Sequence, residues 1–401
     1  MNREFDILIV GGGMIGLAAA LSLAKNDAND QLRITVVDAG KRPSYSPDEE
    51  VSLRVSAIAS GTASLLAGIG AWDAIENTRA CPYRDMRVWD AMGSVEGPET
   101  LCFDAAEFAV PQLGFIVENT LIQDKLLAVL DSTDVSIQYE TPIRSVQKCE
   151  KRYVVEYGES ETITPELLIG ADGASSFVRN SAGITVSSWK YPQTAFVTHL
   201  KPAKSHQNTA WQRFLPNGPV ALLPLSDGRV STVWTTTPEQ AEELSIATEG
   251  EIAALLTDAT DGVLGQLAVA GPSGSFPLKS QHADRYVLDG LALAGDAAHA
   301  VHPLAGQGAN LGLADAAELA TVIAQALAAG EHPGDLPVLR RYERGRKVAN
   351  KTMLHFIHGL NRIFSNESTP LARLRGAGMA LFNKSGPIRD YAVQVALGIR
   401  G

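Results

Sequence analysis

A segment rich in glycine and amide residues, 302–315, contains the residues best suited to hold a flat polar ligand. It follows an apolar strand-like run and the pair Gly295-Asp296, and it leads into an alanine-rich helical stretch. Glycine leaves the backbone N–H groups accessible because it has no side chain. The helix start adds a positive dipole end, which favours developing negative charge. The predicted ligand loop comprises Pro303, Gly306, Gln307, Gly308, Ala309 and Asn310.

A second glycine-rich turn lies near the beginning of the chain, between a predicted strand at 4–10 and a predicted helix at 14–25. In such a turn Gly11 allows a tight bend, Gly13 a close approach of a pyrophosphate, and Gly16 close packing of helix on strand. Asp38 ends the next predicted strand, 22 residues after Gly16, where its carboxylate can accept from ribose hydroxyls. An acid in that place favours FAD or NAD over NADP. The predicted binding set is Gly11, Gly13, Met14, Ile15, Gly16 and Asp38.

The segment 170–179 is a third candidate, in which Asp172 and a serine of the turn, Ser175 or Ser176, can bond backbone groups and Arg179 can point into a cleft. Alone, this pattern is typical of a capped turn before a helix, and only the other two motifs connect it to a ligand. Arg54 and Gln123 carry no local signal beyond that of surface residues.

Other kinds of chemistry find little support. His299 and His302 are three residues apart, but no third ligand has metal-site spacing, so no metal is expected. The absence of a G-x-S-x-G elbow argues against a hydrolase. The three cysteines lack C-x-x-C spacing and are expected to be reduced.

Taken together, the motifs resemble the FAD-dependent aromatic hydroxylases of the para-hydroxybenzoate hydroxylase type, and within them the ubiquinone-biosynthesis hydroxylases. Residues 302–315 fit that branch's pattern H-P-[LIV]-[AG]-G-Q-G-x-N-x-G-x-x-D, and residues 213–225 are similar to its substrate-domain segment. The resemblance implies that Gly295 and Asp296 hold the ribityl and pyrophosphate part of FAD. It also implies that Asp172 serves FAD and NAD(P)H, and that Arg54 and Gln123 contact the cofactor.

The implied reaction is hydroxylation of a polyprenylated phenol or quinol, with NAD(P)H and O₂ as co-substrates. The cofactor supplies the difficult chemistry, and the protein supplies orientation and a dry pocket. No side-chain acid or base is assigned, and His199 and Arg213 are only weak candidates. Two alternatives stay open. One is an FAD oxidoreductase of the geranylgeranyl-reductase or halogenase type acting on another aromatic or isoprenoid substrate, although no Trp-x-Trp-x-Ile segment is present. The other is a non-catalytic flavin-binding subunit of a biosynthetic complex.

The expected fold is α/β, with a Rossmann-like FAD-binding domain, an inserted antiparallel-sheet substrate domain and a helical C-terminal tail. One amphipathic helix is expected over 239–257. The predicted segments are FAD-binding 1–73, substrate 74–104, FAD-binding 105–182, substrate 183–275, FAD-binding 276–345 and basic tail 346–401.

Charge is distributed unevenly along the chain. The whole chain has a formal net charge of −11, so no nucleic-acid partner is expected, yet residues 340–401 contain twelve Lys/Arg and three Asp/Glu. This basic tail either packs as a helical surface on the body or contacts anionic membrane or other ubiquinone-pathway proteins. No leader and no membrane span of roughly 18 apolar residues is expected. The predicted location is cytoplasmic, peripheral on the inner face of the membrane, and a homo-oligomer is also considered.

Overall fold

The computed structural model describes residues 4–28, 30–301 and 306–364, with short stretches at 378–379, 381–383, 385–386, 389–390, 393–394 and 397–398. His302 and Pro303 therefore lie outside the described residues. The predicted α/β architecture, with parallel and antiparallel sheets, is confirmed.

The described strands form four sheets. They are β1 Phe5–Val10, β2 Leu32–Val37, β3 Val55–Ala59, β4 Cys81–Tyr83, β5 Asp85–Asp90, β6 Leu101–Asp104, β7 Gly114–Glu118, β8 Ser136–Gln138, β9 Ile143–Cys149, β10 Arg152–Tyr157, β11 Glu161–Ile163, β12 Leu167–Gly170, β13 Val186–Pro202, β14 Thr209–Leu215, β15 Gly218–Pro224, β16 Val230–Thr236, β17 Leu267–Ala283, β18 Val287–Leu288, β19 Leu291–Leu293 and β20 His299–Ala300.

The described helices pack against these sheets and against one another. They are α1 Met14–Asn26, α2 Ser60–Gly68, α3 Trp72–Arg79, α4 Asn119–Leu130, α5 Phe177–Ser181, α6 Pro238–Ile246, α7 Glu249–Ala259, α8 Gln307–Ala328 and α9 Leu336–Phe364, with 3-10 turns at Ala105–Phe108 and Gly295–Ala297.

The first sheet has the strand order β18-β19-β12-β1-β2-β8 and is parallel except at β18. Its central strands read as continuous apolar runs because both faces are covered. Strands β1 and β12 are buried together with the inner side of α1, and α8 packs against α1 in the same core.

The eight-stranded sheet has the order β20-β17-β13-β16-β15-β14-β5-β6, so the predicted segment 74–104 contributes the last two strands at one end of it. Helices α6 and α7 cover one face, called here the outer face, where Phe196, Leu222 and Trp234 pack with Leu244 and Leu256. The opposite face is called the inner face. Strand β17 runs across the predicted boundary at 275 and pairs with β20, which joins this sheet to the segment 276–345.

The expectation of one helix over 239–257 was wrong, because two helices occupy this range. Ala247 adopts an extended conformation that ends α6. Thr248 and Glu251 then form a capping box that starts α7.

The buried carboxylate of Asp315 on α8 connects α8 and α9 to residues 295–299, which follow β19 and begin β20. Its Oδ1 accepts hydrogen bonds from Arg346 Nε at 2.8 Å and Asn350 Nδ2 at 3.0 Å. Its Oδ2 lies 2.5 Å from His299 Nε2 and accepts from the Gly295 backbone N–H at 3.1 Å. Burial raises the pKa of Asp315, but His299 and Arg346 outweigh burial and hold that pKa below its usual value.

Described parts of the tail pack on the body. Met379, Val393 and Leu397 are buried, and the Gly61 backbone N–H donates to the Leu397 carbonyl at 2.9 Å. Arg389 forms an ion pair with Glu107. These contacts favour a structural role for this part of the tail.

Among the described residues, α8 is the one helix long and apolar enough to cross a membrane. More than half of its most apolar window, 56 %, is buried inside the protein. Buried core helices also have this length and composition.

Replacing Asp315 with Asn should lower the free energy of unfolding by about 3 kcal/mol, because it leaves the largely buried Arg346 without its anion. Denaturation at pH 7 measures this. The folded pKa of Asp315 is depressed, so its stabilisation is present above the ordinary Asp pKa of about 4 and is lost in acid. The gap between wild type and variant should therefore narrow as the pH falls below about 4.

Glu331→Gln is the matched control, because it removes an exposed partner of Arg341 on the same helix α9. Such exposed pairs are screened by solvent, so stability should hardly change. Similar losses in both variants would contradict the importance given to Asp315.

Candidate active site

The sequence motifs meet at one edge of the parallel sheet because each follows the carboxyl end of a neighbouring strand. Gly11 follows β1, Asp38 follows β2, Ala171 follows β12 and Gly295 lies just beyond β19. Carboxyl ends of parallel strands share one edge, which is where ligands bind in open α/β sheets. Backbone hydrogen bonds continue past the strand ends, from Gly11 N to Val37 O at 2.8 Å and from Ala171 to β1 at 2.8 Å.

The first glycine turn has the geometry expected of its spacing. Gly11 has φ +112°, which favours glycine, and a Cβ there would lie 2.3 Å from the Ala171 carbonyl oxygen. A Cβ on Gly16 would lie 1.8 Å from the Gly11 oxygen, so helix and strand need glycine at this contact. Above Gly13, the nearest described atom to an added Cβ is Gln123 Nε2, 3.9 Å away. The turn is therefore tightly packed at Gly11 and Gly16 and open at Gly13.

The side chain of Ile15, in the first glycine turn, packs against residues of two other predicted motifs. A Cβ on Gly295 would approach Ile15 Cγ1 to 3.0 Å, and one on Gly312 would approach Ile15 Cδ1 to 2.7 Å. The start of α1, the Gly295-Asp296 turn and α8 thus pack directly on one another. Met14, beside Ile15, is partly buried against the same core.

Asp38 already binds the backbone of the glycine turn. Its Oδ2 accepts from the Gly12 N–H and its Oδ1 from the Gly40 N–H, both at 2.6 Å. Tyr139 donates to the Gly12 carbonyl oxygen at 2.9 Å, and burial raises the pKa of Tyr139 to about 12. A carboxylate has about four acceptor positions, so Asp38 retains capacity for a ribose hydroxyl.

Asp296 faces basic groups from two other segments. Asp296 is accessible to solvent. Desolvation by the surrounding protein atoms raises the pKa of Asp296, while His299, Arg54 and Lys279 oppose the rise. Arg54 is itself exposed, which leaves its guanidinium available. The sequence predicted Asp296 and Arg54 but not Lys279, which lies on strand β17 of the eight-stranded sheet.

Asp172 and Arg179 have mainly structural partners. Asp172 Oδ2 accepts from the N–H groups of Phe177 and Val178 and thus caps α5. Arg179 was expected to point into a cleft, but only 4 % of its surface is exposed. Its guanidinium donates to the carbonyl oxygens of Ala297 and Ala174, both at 3.0 Å. The structure therefore corrects that expectation, because Arg179 supports the Gly295-Asp296 turn from within.

The described part of the ligand loop starts α8. Gly306 has φ +60°, and among the described residues no side chain caps the N-terminus of α8, so its first N–H groups and positive dipole end can serve a ligand. Gln307, Gly308 and Ala309 are partly accessible there. The Asn310 side chain is occupied, since it accepts from Ala59 N at 3.0 Å and donates to Ala57 O at 2.8 Å.

An apolar cluster faces this loop from the inner face of the eight-stranded sheet. Val88 and Phe214 of the sheet contact Val301, which directly precedes the undescribed residues 302–305, and they contact Met353 and Met379 of the C-terminal region. This contact places a hydrophobic wall beside the ligand loop.

Of the two weak acid–base candidates, the structure separates Arg213 from the site. Arg213 lies on the outer face and donates to carbonyl oxygens of Asp258 and Ala259 at the end of α7. His199 lies on the inner face, opposite Ser231. Within the described ranges no group of three or more His, Cys, Asp or Glu side chains could hold a metal ion.

Comparison with known proteins identifies the family. The protein-family model described as "FAD binding domain" matches residues 4–356. The chain is 36 % identical over 401 residues to 3-demethoxyubiquinol 3-hydroxylase of Escherichia coli (strain K12), covering 99 % of this chain and 100 % of that protein. It is also 36 % identical over 441 residues to the mitochondrial ubiquinone biosynthesis monooxygenase COQ6 of Danio rerio, covering 98 % and 90 % of the two chains.

A solved structure supports the fold. The p-nitrophenol 4-monooxygenase PnpA of Pseudomonas putida DLL-E4 superposes with a TM-score of 0.78 at 20 % identity, over 99 % of both chains. The resemblance seen in the sequence is thereby confirmed: this chain belongs to the FAD-dependent monooxygenases that carry out hydroxylation in ubiquinone biosynthesis.

Proposed function

We propose that the chain hydroxylates the aromatic ring of a polyprenylated phenol or quinol, with NAD(P)H as reductant and O₂ as oxidant. The observation that carries this proposal is the position of the apolar cluster around Phe214 and Val301, directly beside the glycine-rich ligand loop. An aromatic ring with a hydrocarbon chain matches that wall, and the relatives are named for ubiquinol or ubiquinone chemistry.

The described residues fit FAD. We assign the pyrophosphate to the open side of Gly13 with Gln123, the ribose to Asp38 and the ribityl chain to Asp296 with Arg54. The N–H groups that start α8, at Gln307 and Gly308, would face the ring edge. Held by these residues, FAD would supply the redox chemistry that links oxidation of NAD(P)H to oxygenation of the substrate ring by O₂. The protein residues orient both partners and exclude water.

The direct test is to profile prenylated intermediates by mass spectrometry in cells lacking the protein. We expect one intermediate to accumulate that lacks a single ring hydroxyl group, and its structure names the carbon hydroxylated. In vitro, a prenylated phenol should stimulate NAD(P)H oxidation by the purified holoprotein. An unchanged intermediate profile would contradict the proposal, and unstimulated oxidation would favour the non-catalytic flavin-binding subunit.

Asp296→Ala should weaken FAD binding roughly tenfold to a hundredfold, because a charge-assisted hydrogen bond to a buried ligand contributes about 1.5–3 kcal/mol. FAD titration of the apoprotein measures this. Asp172→Ala is the matched comparison, since its carboxylate caps α5. It should cost about 1 kcal/mol of stability with a smaller effect on FAD affinity. A larger FAD loss in Asp172→Ala would reverse the assigned roles.

We also propose that one side of α9 contacts an anionic membrane surface, on the cytoplasmic side, where a polyprenyl substrate is available. Val348 and Phe356 are 70 % and 55 % exposed, and the basic Arg344 and Lys351 are exposed beside them. Met353, in contrast, packs inward. The side chains of Ile357, Leu360 and Phe364 lie outside the described residues. Exposed apolar groups flanked by basic ones are typical of helices that lie on anionic lipid.

The double variant Val348→Glu/Phe356→Glu should lower the fraction of protein that sediments with phosphatidylglycerol vesicles, with roughly a tenfold loss in partition coefficient. FAD content should stay unchanged. Ile246→Glu on α6 is the control, because Ile246 is 83 % exposed on a different surface. Equal losses in the two proteins, or no loss in the double variant, would contradict the membrane contact.

A further inference from the structure

The side chain of His199 is fully buried, yet neither of its ring nitrogens has a hydrogen-bond partner among the described residues. The Oγ of Ser231 is buried and unpartnered in the same way. Leaving such groups unsatisfied costs free energy, and buried polar atoms are normally bonded. Two neighbouring exceptions therefore indicate a missing polar partner.

The backbone around His199 departs from a regular ladder. The pairing of β13 with β17 jumps from Thr198↔Ser273 to Leu200↔Val269, so the residues Ala270, Gly271 and Pro272 lie opposite His199 alone. A bulge of this kind re-aims the side chain it flanks. A Cβ on Gly271 would lie 3.2 Å from the His199 Cβ, so glycine makes room at this position.

Pairing fixes which face His199 occupies. His199 is opposite Ser231, which is opposite Leu223, and directly paired residues share a face of the sheet. Their sequence neighbours Leu200 and Val230 pack in the cluster beneath α6 and α7. The three residues therefore lie in one row on the inner face.

This row leads to the ligand loop. Leu223 packs in a cluster with Val51, Val55 and Ala57. The Ala57 Cβ is in turn 3.1 Å from the position of a Cβ on Gly306. Neighbouring strands are about 4.8 Å apart, so His199 lies roughly 10 Å along the inner face from Leu223.

We propose that His199 and Ser231 together recognise the phenolic hydroxyl of the substrate, a proposal that rests on the function proposed above. A neutral imidazole nitrogen of His199 accepts a hydrogen bond from the phenolic O–H, which draws the proton away from the oxygen. The Ser231 hydroxyl donates to that oxygen. The ring thereby becomes richer in electrons, which favours its hydroxylation.

The charges around His199 agree with an acceptor role. Burial lowers the pKa of His199, and Arg229 lowers it further, while Asp227 and Glu50 oppose the change. Arg229 is held by ion pairs with both acids and by a hydrogen bond to the Ala270 carbonyl at 2.6 Å. A neutral imidazole at pH 7 has a free acceptor position. Recognition should weaken as acidification protonates His199, below its ordinary pKa of about 6.5.

The test compares binding of 2-geranylphenol with that of its methyl ether, which lacks the donated proton. Dissociation constants for the FAD-loaded protein follow from the change in flavin absorbance. Wild type should bind the phenol about tenfold more tightly than the ether at pH 7. His199→Leu should remove that preference and leave ether binding within about twofold. His199→Gln, which keeps an acceptor oxygen, should retain part of the preference without its dependence on pH.

Retained FAD content and ether binding show that a variant is folded, so a lost preference reports the hydrogen bond itself. A His199→Leu protein that keeps the full preference for the phenol would overturn this inference alone. A wild-type holoprotein that binds neither compound, or that does not hydroxylate the phenol, would overturn the proposed substrate class and this inference with it.

Discussion

The fold depends on neutralising one buried negative charge. Asp315 lies in the core, where an unpaired carboxylate is not tolerated, and its partners come from α9, from His299 and from the Gly295 backbone. Those partners are separated by up to 55 residues in sequence, from Gly295 to Asn350. Satisfying the carboxylate therefore fixes the position of α8 relative to the Gly295-Asp296 turn. Because α8 begins at the ligand loop, this ion-pair network also fixes the position of the loop relative to the Gly295-Asp296 turn.

The eight-stranded sheet divides its roles between its two faces. The outer face is closed by α6 and α7, and its residues form an ordinary apolar core. The inner face is less uniform, because it combines the apolar cluster around Phe214 with the unpartnered polar pair His199 and Ser231. Alternation along a strand assigns neighbouring residues to these two environments. Arg213 and Phe214 are adjacent in sequence, yet one bonds the end of α7 and the other faces the ligand loop.

The sequence was informative where the signal is local. The glycines at 11 and 16 and the strand before them follow from spacing alone, and the geometry agrees. Side-chain contacts between residues far apart in sequence could not be predicted. Nothing near Arg346 indicates its contact with Asp315, and the inward turn of Arg179 depends on a carbonyl 118 residues away. The start of α7 has a local signal, because Thr248 and Glu251 have capping-box spacing. The amphipathic pattern continues across this point, however, and led to the prediction of one helix.

The wall beside the ligand loop is assembled from segments of very different origin. Val301 lies between the Gly295-Asp296 turn and the ligand loop, whereas Met353 and Met379 come from the C-terminal region. Methionine is flexible and adapts to irregular shapes. Substitutions at 353 or 379 would reshape the apolar wall without touching the glycine turns. Related enzymes can thus diverge in the size and chain length of the substrate they accept while the cofactor cradle stays constant, so selection can act on the two properties separately.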